Sequence, residues 1–179
     1  SPEGNLYFSI VLDIGKGRDF SNLTFITSLA LKKAIKSLDK NSSGKIELKW
    51  PNDVLLNKKK IAGILLEYDK KLIIGVGINI KYFPENTMFG ATSLLNEDII
   101  LDYKEILKEF IIQFNFLFFR WINSGFKNIK NEWLENAYNF KKKIKAGETI
   151  GIFEDLLDDG TLVLKTNNGI KYIKSSQIY

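Results

Sequence analysis

Apolar positions along the chain change period several times, and each change marks the border of an element. Leu6 to Leu12 is an apolar, aromatic-bearing run between Gly4 and Gly15-Lys16-Gly17, the pattern of a buried strand followed by a turn. From Ser21 onward Leu23, Ile26, Ala30, Leu31, Ala34, Ile35 and Leu38 recur at steps of three and four. This predicts an amphipathic helix with Ser21 as its N-cap and Asn41-Ser42-Ser43-Gly44 as its end. Ile46 to Trp50, Lys60 to Tyr68 and Leu72 to Ile80 read as three strands, the last two joined tightly through Asp69-Lys70-Lys71 into a meander. A second helix is predicted from the spacing of Ile106, Phe110, Phe114, Leu117 and Trp121, and a third from Phe126, Ile129, Trp133 and Ala137.

Beyond Lys141-Lys142-Lys143 the period shortens to alternating strands, punctuated by the turn signals Asp158-Asp159-Gly160 and Asn167-Asn168-Gly169. The expected fold is therefore α+β: a mixed, mostly antiparallel sheet with helices on one face over residues 1–143, then a small β-barrel-like module over 144–179. A module of that size is too small to be comfortable alone.

Composition narrows the chemistry. With 179 residues, 45% of them hydrophobic, the chain can bury one core and a small appended one. It has no cysteine and no histidine, which removes thiol and imidazole nucleophiles, Ser-His-Asp triads, zinc cages and disulfides together. Lys, Arg, Asp, Glu and neutral donors must carry any reaction. The net charge of +5 comes from lysines that are scattered or sit in turns, which reads as a solvated surface and not as a nucleic-acid footprint. The most lipid-like stretch, Phe110 to Ile122, is broken by Gln113, Asn115 and Arg120 and falls well short of the ~20 apolar residues of a membrane span. No export signal is apparent, so the cytoplasm is the expected compartment.

The polar residues that stand out lie in the strand-rich centre: Lys49-Trp50-Pro51-Asn52-Asp53, Lys60-Ile61-Ala62-Gly63-Ile64-Leu65 and Gly75-Val76-Gly77-Ile78-Asn79. Pro51 cannot donate to a ladder, so the first segment is expected to leave the sheet and hold its polar side chains at the sheet's end. Amides, a carboxylate and a lysine gathered there suit a nucleotide site. Each residue also has a plainer reading: Lys60 as a turn lysine, Asp53 as a turn former, Asn52 and Asn79 as strand-end caps, Trp50 as core. Gly63, Gly75 and Gly77 fit close backbone approach by a ligand, or else a bulge or crowded crossing.

Taken in order, these three segments resemble the central signatures of the biotin protein ligases. Ser1-Pro2-Glu3-Gly4-Asn5-Leu6-Tyr7-Phe8-Ser9 is similar to a strand of that family, and Gly147 to Phe153 followed by an Asp-Gly turn resembles its SH3-like C-terminal module. The resemblance implies a class II synthetase-like biotin/lipoate ligase fold and an enzyme that uses ATP and magnesium to convert biotin to biotinyl-5'-AMP. Biotin then passes to a lysine of the biotin carboxyl carrier protein. It implies Lys60 as the catalytic cation between the biotin carboxylate and the α-phosphate, and Asn52, Asp53, Lys60, Gly75 and Asn79 around ATP and the adenylate. Asp53 would hold magnesium, and Lys60, Gly63, Ile64, Leu65 and Gly75 would surround biotin. No membrane or nucleic-acid partner is implied, and the state is monomer or homodimer. A lipoate or octanoate ligase on the related fold, and a non-catalytic remnant that binds nucleotide or carrier, are the alternatives.

The family also carries a Ser-Thr-Asn strand and a Gly-Arg-Gly-Arg-x-Gly-Arg loop upstream of the first segment, and neither is present in these 179 residues. Gly15-Lys16-Gly17-Arg18 does not replace the loop, because it follows the first strand and lacks the repeat. No winged-helix segment precedes the catalytic part in this sequence, so a DNA-binding repressor role finds no support in it. The chain opens on Ser1 without methionine, which leaves a fragment, a processed product and an incomplete gene reading open. The expectation for the 179 residues alone is poor catalysis.

Overall fold

The computed structural model of the chain describes residues 3–13, 20–39, 44–85, 87 and 89–174. Gly15-Lys16-Gly17-Arg18 and the predicted helix end at Asn41-Ser42-Ser43 lie outside the described residues. Five strands, β1 (Leu6–Leu12), β2 (Ile46–Lys49), β3 (Asp53–Leu56), β4 (Lys59–Tyr68) and β5 (Leu72–Ile78), form one sheet in the order β1-β5-β4-β3-β2. Every strand pairing in it is antiparallel, and among the described residues parallel partners occur only as isolated bridges at Glu3–Asn5, Leu48–Ala137 and Lys60–Ala91. Strand β3 is an addition to the predicted meander. It is a short run that pairs with β2 across the Trp50-Pro51-Asn52 turn and buries Val54, Leu55 and Leu56.

Helices α1 (Leu23–Leu38), α2 (Tyr103–Ser124) and α3 (Lys127–Glu135) complete the domain, with α1 packed against β2, β3, β4 and α2. The alternation of β5 shows the division of the sheet: Leu72, Ile74, Val76 and Ile78 are buried in the core, while Ile73, Gly75 and Gly77 face the other side. Phe8 of β1 meets Phe110 of α2 edge to face, with ring centres 5.1 Å apart, so α2 lies on the same face as α1. The opposite face of the sheet is thereby left for the site.

Capping of the helices departs from the sequence reading at α1. Asn22, not Ser21, occupies the N-cap position and makes no side-chain cap bond. Ser21 instead donates its hydroxyl to the carbonyl of Asp159 at 2.8 Å, a tie between the helix entry and the C-terminal strands that spacing could not reveal. Helix α2 is capped in the ordinary way, Asp102 accepting from the Lys104 N–H at 2.8 Å.

Glu132 of α3 joins all three helices, pairing with Lys33 of α1 at 2.5 Å and Arg120 of α2 at 3.0 Å. Partial burial raises its carboxyl pKa, but the hydrogen bonds from Lys33 and Arg120 outweigh this and hold it below the usual 4.5. Its contribution to stability is complete above the unfolded pKa and is lost as pH falls through the lower folded value. Denaturation from pH 6 down to pH 3 should show Glu132→Gln less stable than the parent by on the order of 1 kcal/mol at the upper end, since these groups remain partly solvent-screened. The gap should close toward pH 3, and a constant gap would contradict the assignment.

Strands β6 (Lys143–Ala146), β7 (Thr149–Leu156), β8 (Leu162–Thr166) and β9 (Gly169–Ile173) form a second antiparallel sheet in chain order. Both predicted turn signals fall between its strands. A linear order leaves β6 and β9 as edges, so the described residues form an open sheet and not the closed barrel expected from the sequence. Phe153, Leu156, Leu162 and Leu164 belong to the same apolar cluster as the core of the first sheet, and Phe140 meets Phe153 edge to face at 5.4 Å. Among the described residues, no helix is long and apolar enough to cross a membrane.

Candidate active site

On the helix-free face of the first sheet one cross-strand row runs Tyr7, Gly77, Gly63, Asp53, Lys49 through β1, β5, β4, β3 and β2. The neighbouring row runs Ser9, Gly75, Leu65. Three glycines thus occupy positions where side chains would stand up from the sheet. The space above them is a cleft of about 540 Å³, lined by Tyr7, Phe8, Ser9, Asn52, Lys60, Gly63, Ile64, Leu65, Gly75, Val76 and Gly77. Its size falls within the range typical of small-molecule sites.

Lys60 reaches this face because of a bulge. Leu55 pairs with Lys60 whereas Val54 pairs with Ala62, so Ile61 is an extra residue in β4. Lys60 and Gly63, three positions apart in sequence, then both face the cleft. A β-carbon on Gly63 would lie 3.1 Å from Lys60 Nζ and 3.2 Å from its Cε, so the missing side chain is what gives the lysine its place. The ammonium pairs with Asp53 Oδ1 at 2.5 Å, and Lys49 approaches Asp53 Oδ2 at 3.6 Å. Asp53 is 12% exposed, and its Oδ1 is buried with no hydrogen-bond donor among the described residues other than this ion-pair partner.

The other two glycines have different surroundings. A β-carbon on Gly77 would meet the Tyr7 ring at 3.2 Å, a packing reason independent of any ligand. At Gly75 the nearest atoms would be Leu65 Cβ and O at 3.8 Å, an ordinary contact, so protein packing leaves room there for a side chain. Leu65 is 40% exposed beside this open floor. Ile64 is 1% exposed and packs in the core. Its main chain is engaged as well, its N–H donating to the Asn52 carbonyl at 3.0 Å and its carbonyl accepting from Asn52 Nδ2 at 2.8 Å. Ile64 therefore shapes the floor without offering an apolar wall.

Asn79 donates from Nδ2 to the Thr92 carbonyl at 3.1 Å, holding the segment after β5 against β4. The same segment is tied by Lys60 N–H to the Gly90 carbonyl and Thr92 N–H to the Lys60 carbonyl. Asn52 and Asn79 thus use amide hydrogens on main chain, and their Oδ1 atoms accept no bond from the described residues. Trp50 packs against the core and donates its indole N–H to the Gly160 carbonyl at 3.1 Å, the structural role expected of it.

Sequence reading missed Glu97. It accepts from Asn57 Nδ2 at 2.7 Å and Thr92 Oγ1 at 2.8 Å and pairs with Lys59 at 3.6 Å, fixing both segments that flank Lys60. Burial raises its pKa, but these bonds outweigh it and hold the carboxyl below its usual range. Nothing in local spacing joins residues 57, 92 and 97. Tyr7 and Ser9 were also missed as site residues, although their place in β1 across from Gly77 and Gly75 follows once the register is known.

Residues 1–79 match the model of the biotin/lipoate A/B protein ligase family. A biotin–[acetyl-CoA-carboxylase] ligase of Paracoccus denitrificans is 31% identical over 195 residues, covering 99% of this chain and 81% of the relative. The bifunctional ligase/repressor BirA of Bacillus subtilis is 31% identical over 170 residues, covering 86% of this chain but only 52% of its own length. Among solved structures, the biotin protein ligase of Aquifex aeolicus superposes with a TM-score of 0.86 at 29% identity, over 98% of this chain and 82% of that one. Its complex with biotin and ATP superposes with a TM-score of 0.84 at 28% identity, over 98% and 77%. The chain belongs to the biotin protein ligases.

Proposed function

We propose that the glycine-floored cleft binds biotin and that Lys60, held over Gly63, serves the attack of the biotin carboxylate on the α-phosphorus of ATP. A P–O bond forms, the bond to pyrophosphate breaks, and biotinyl-5'-AMP results. The amine of a carrier-protein lysine then attacks the acyl carbon, and adenosine monophosphate leaves. Two anions must meet in the first step, so a fixed cation in a partly desolvated site stabilises the transition state by offsetting their repulsion. The observation that carries this reading is the Lys60 ammonium paired with buried Asp53 directly above a glycine in the cleft.

Asn52 and Asn79 present carbonyl oxygens suited to the adenosine amine or ribose hydroxyls. Asp53 fits magnesium, which takes one or two carboxylates and completes its shell with water and phosphate oxygens. The buried Oδ1, which among the described residues has no hydrogen-bond donor beyond the lysine, supports that fit. Magnesium there would neutralise phosphate charge. The C-terminal strands are proposed as an SH3-like module.

Pyrophosphate exchange into ATP tests the substrate. Biotin should support it, at the low rate expected of the 179 residues alone, and octanoate and lipoate should not. Exchange with octanoate or lipoate in place of biotin would assign the cleft to the related acyl ligases instead.

A further inference from the structure

Asn5 stands one residue before β1 and reaches across the sequence to the exit of β5. Its Oδ1 accepts from the N–H groups of Ile80, Lys81 and Tyr82, each at 3.0 Å. None of the three N–H groups has another acceptor among the described residues. Its Nδ2 donates to the Tyr82 carbonyl at 2.9 Å and to Tyr7 Oη at 3.3 Å. Successive N–H groups converging on one point form a concavity that ordinarily takes an anion. A neutral amide suits this one because the same side chain must also donate, to a carbonyl that a carboxylate would repel. The chain is close-packed here as well: a β-carbon on Gly4 would stand 2.7 Å from Lys81 Cδ.

The segment held by Asn5 begins one residue after Asn79. Asn79 donates its N–H to the Ile61 carbonyl at 2.7 Å, accepts from Leu94 N–H at 3.0 Å, and is tied by its amide to Thr92. Ile80 accepts from Leu95 N–H at 2.9 Å, and Lys81 from Ser93 Oγ at 3.1 Å. The carbonyls of 79–81 are thus fixed by residues 93–95, and the N–H groups of 80–82 by one side chain. Four bonds of 2.9–3.0 Å go from Asn5 to this segment, against one exposed bond of 3.3 Å to Tyr7. The Tyr7 ring, moreover, has its seat against Gly77, independent of the hydroxyl. We infer that Asn5 is a positioning residue for the nucleotide: it fixes the main chain leaving β5 so that Asn79 Oδ1 faces adenosine, and it contributes little to the biotin floor. This rests on the ligase reading and on its placement of adenosine at Asn79.

Calorimetry on the full chain, with ATP and with biotin, tests it without turnover. Asn5→Ala should raise the Kd for ATP about tenfold and the Kd for biotin by less than about twofold, since a contact is displaced while the fold and the glycine floor stay. Asn79→Ala should also weaken ATP, and adding Asn5→Ala to it should cost less than about twofold more, because one contact cannot be lost twice. Should Asn5→Ala not fold, Asn5→Asp keeps an oxygen before the three N–H groups but sets an acceptor against the Tyr82 carbonyl, and the same cycle should show a loss for ATP of about threefold or more. ATP affinity within about twofold of the parent in the variant that folds, equal losses for ATP and biotin, or losses that simply add to that of Asn79→Ala would each overturn the positioning role. Failure of the underlying reading is seen separately: an Asn79→Ala variant that binds ATP like the parent would remove the adenosine placement, and the role of Asn5 with it.

Discussion

Lys60→Ala should lower biotin-dependent ATP–pyrophosphate exchange by about a hundred- to a thousandfold, the range seen when a preorganised charge-stabilising group is removed from a reacting centre. Much of that loss should appear in kcat at saturating biotin and ATP, since the charge matters most where the two anions meet. Asp53 is only 12% exposed, so deleting its ion pair leaves a largely buried carboxylate and should cost on the order of 3 kcal/mol of stability, and thermal unfolding separates a collapsed fold from a disabled site. Lys60→Arg should recover little, because the guanidinium is larger and planar and cannot take the place of the compact ammonium seated over Gly63. A variant that lost only affinity for ATP, with kcat intact, would make Lys60 a general phosphate contact.

Gly75→Val should raise the KM for biotin by about tenfold or more while leaving stability nearly unchanged. The argument rests on the different neighbours of the three glycines. A β-carbon at Gly75 meets only Leu65 at 3.8 Å, an ordinary contact, and the methyl groups beyond it should occupy floor that a bound ring would need. Gly63→Ala should behave differently, displacing the Lys60 head and lowering kcat, because the added carbon falls 3.1 Å from Nζ. Gly77→Ala presses on the Tyr7 ring at 3.2 Å and should register first in stability. Three substitutions in one cleft with three separable signatures, in KM, kcat and unfolding, test whether the glycines have the roles their surroundings give them. Equal effects on all three readouts would show that they act only through the fold.

Much of this arrangement was legible in the sequence. The helical periods of α1 and α2, the apolar run of β1 and the two Asp-Gly and Asn-Gly turns depend on local chemistry, and each is where the pattern put it. The three central segments do meet in one cleft. What the sequence could not show depends on register and on distant partners. Strand β3 is only four residues long and carries no alternation to distinguish it from a turn. The bulge at Ile61, which turns Lys60 onto the glycine face, exists only as a mismatch between β3 and β4. Which side chains of the protein stand beside Gly63 and Gly77, Lys60 and Tyr7, follows only from the register. Glu97 and Ser21 act on residues 40 and 138 positions away, beyond any local rule. The sheet that closes the C-terminal part is open in its described strands, since turn signals give the number of strands but not their closure.

A crystal structure with a non-hydrolysable analogue of biotinyl-5'-AMP tests the account most directly. The fused ring system should lie on the floor made by Gly63 and Gly75, with Leu65 beside it and Lys60 Nζ within hydrogen-bonding distance of the linkage that replaces the acyl phosphate. Asn52 and Asn79 should face the adenosine. An adenylate bound elsewhere, with Lys60 still closed on Asp53 and the glycine floor empty, would contradict it.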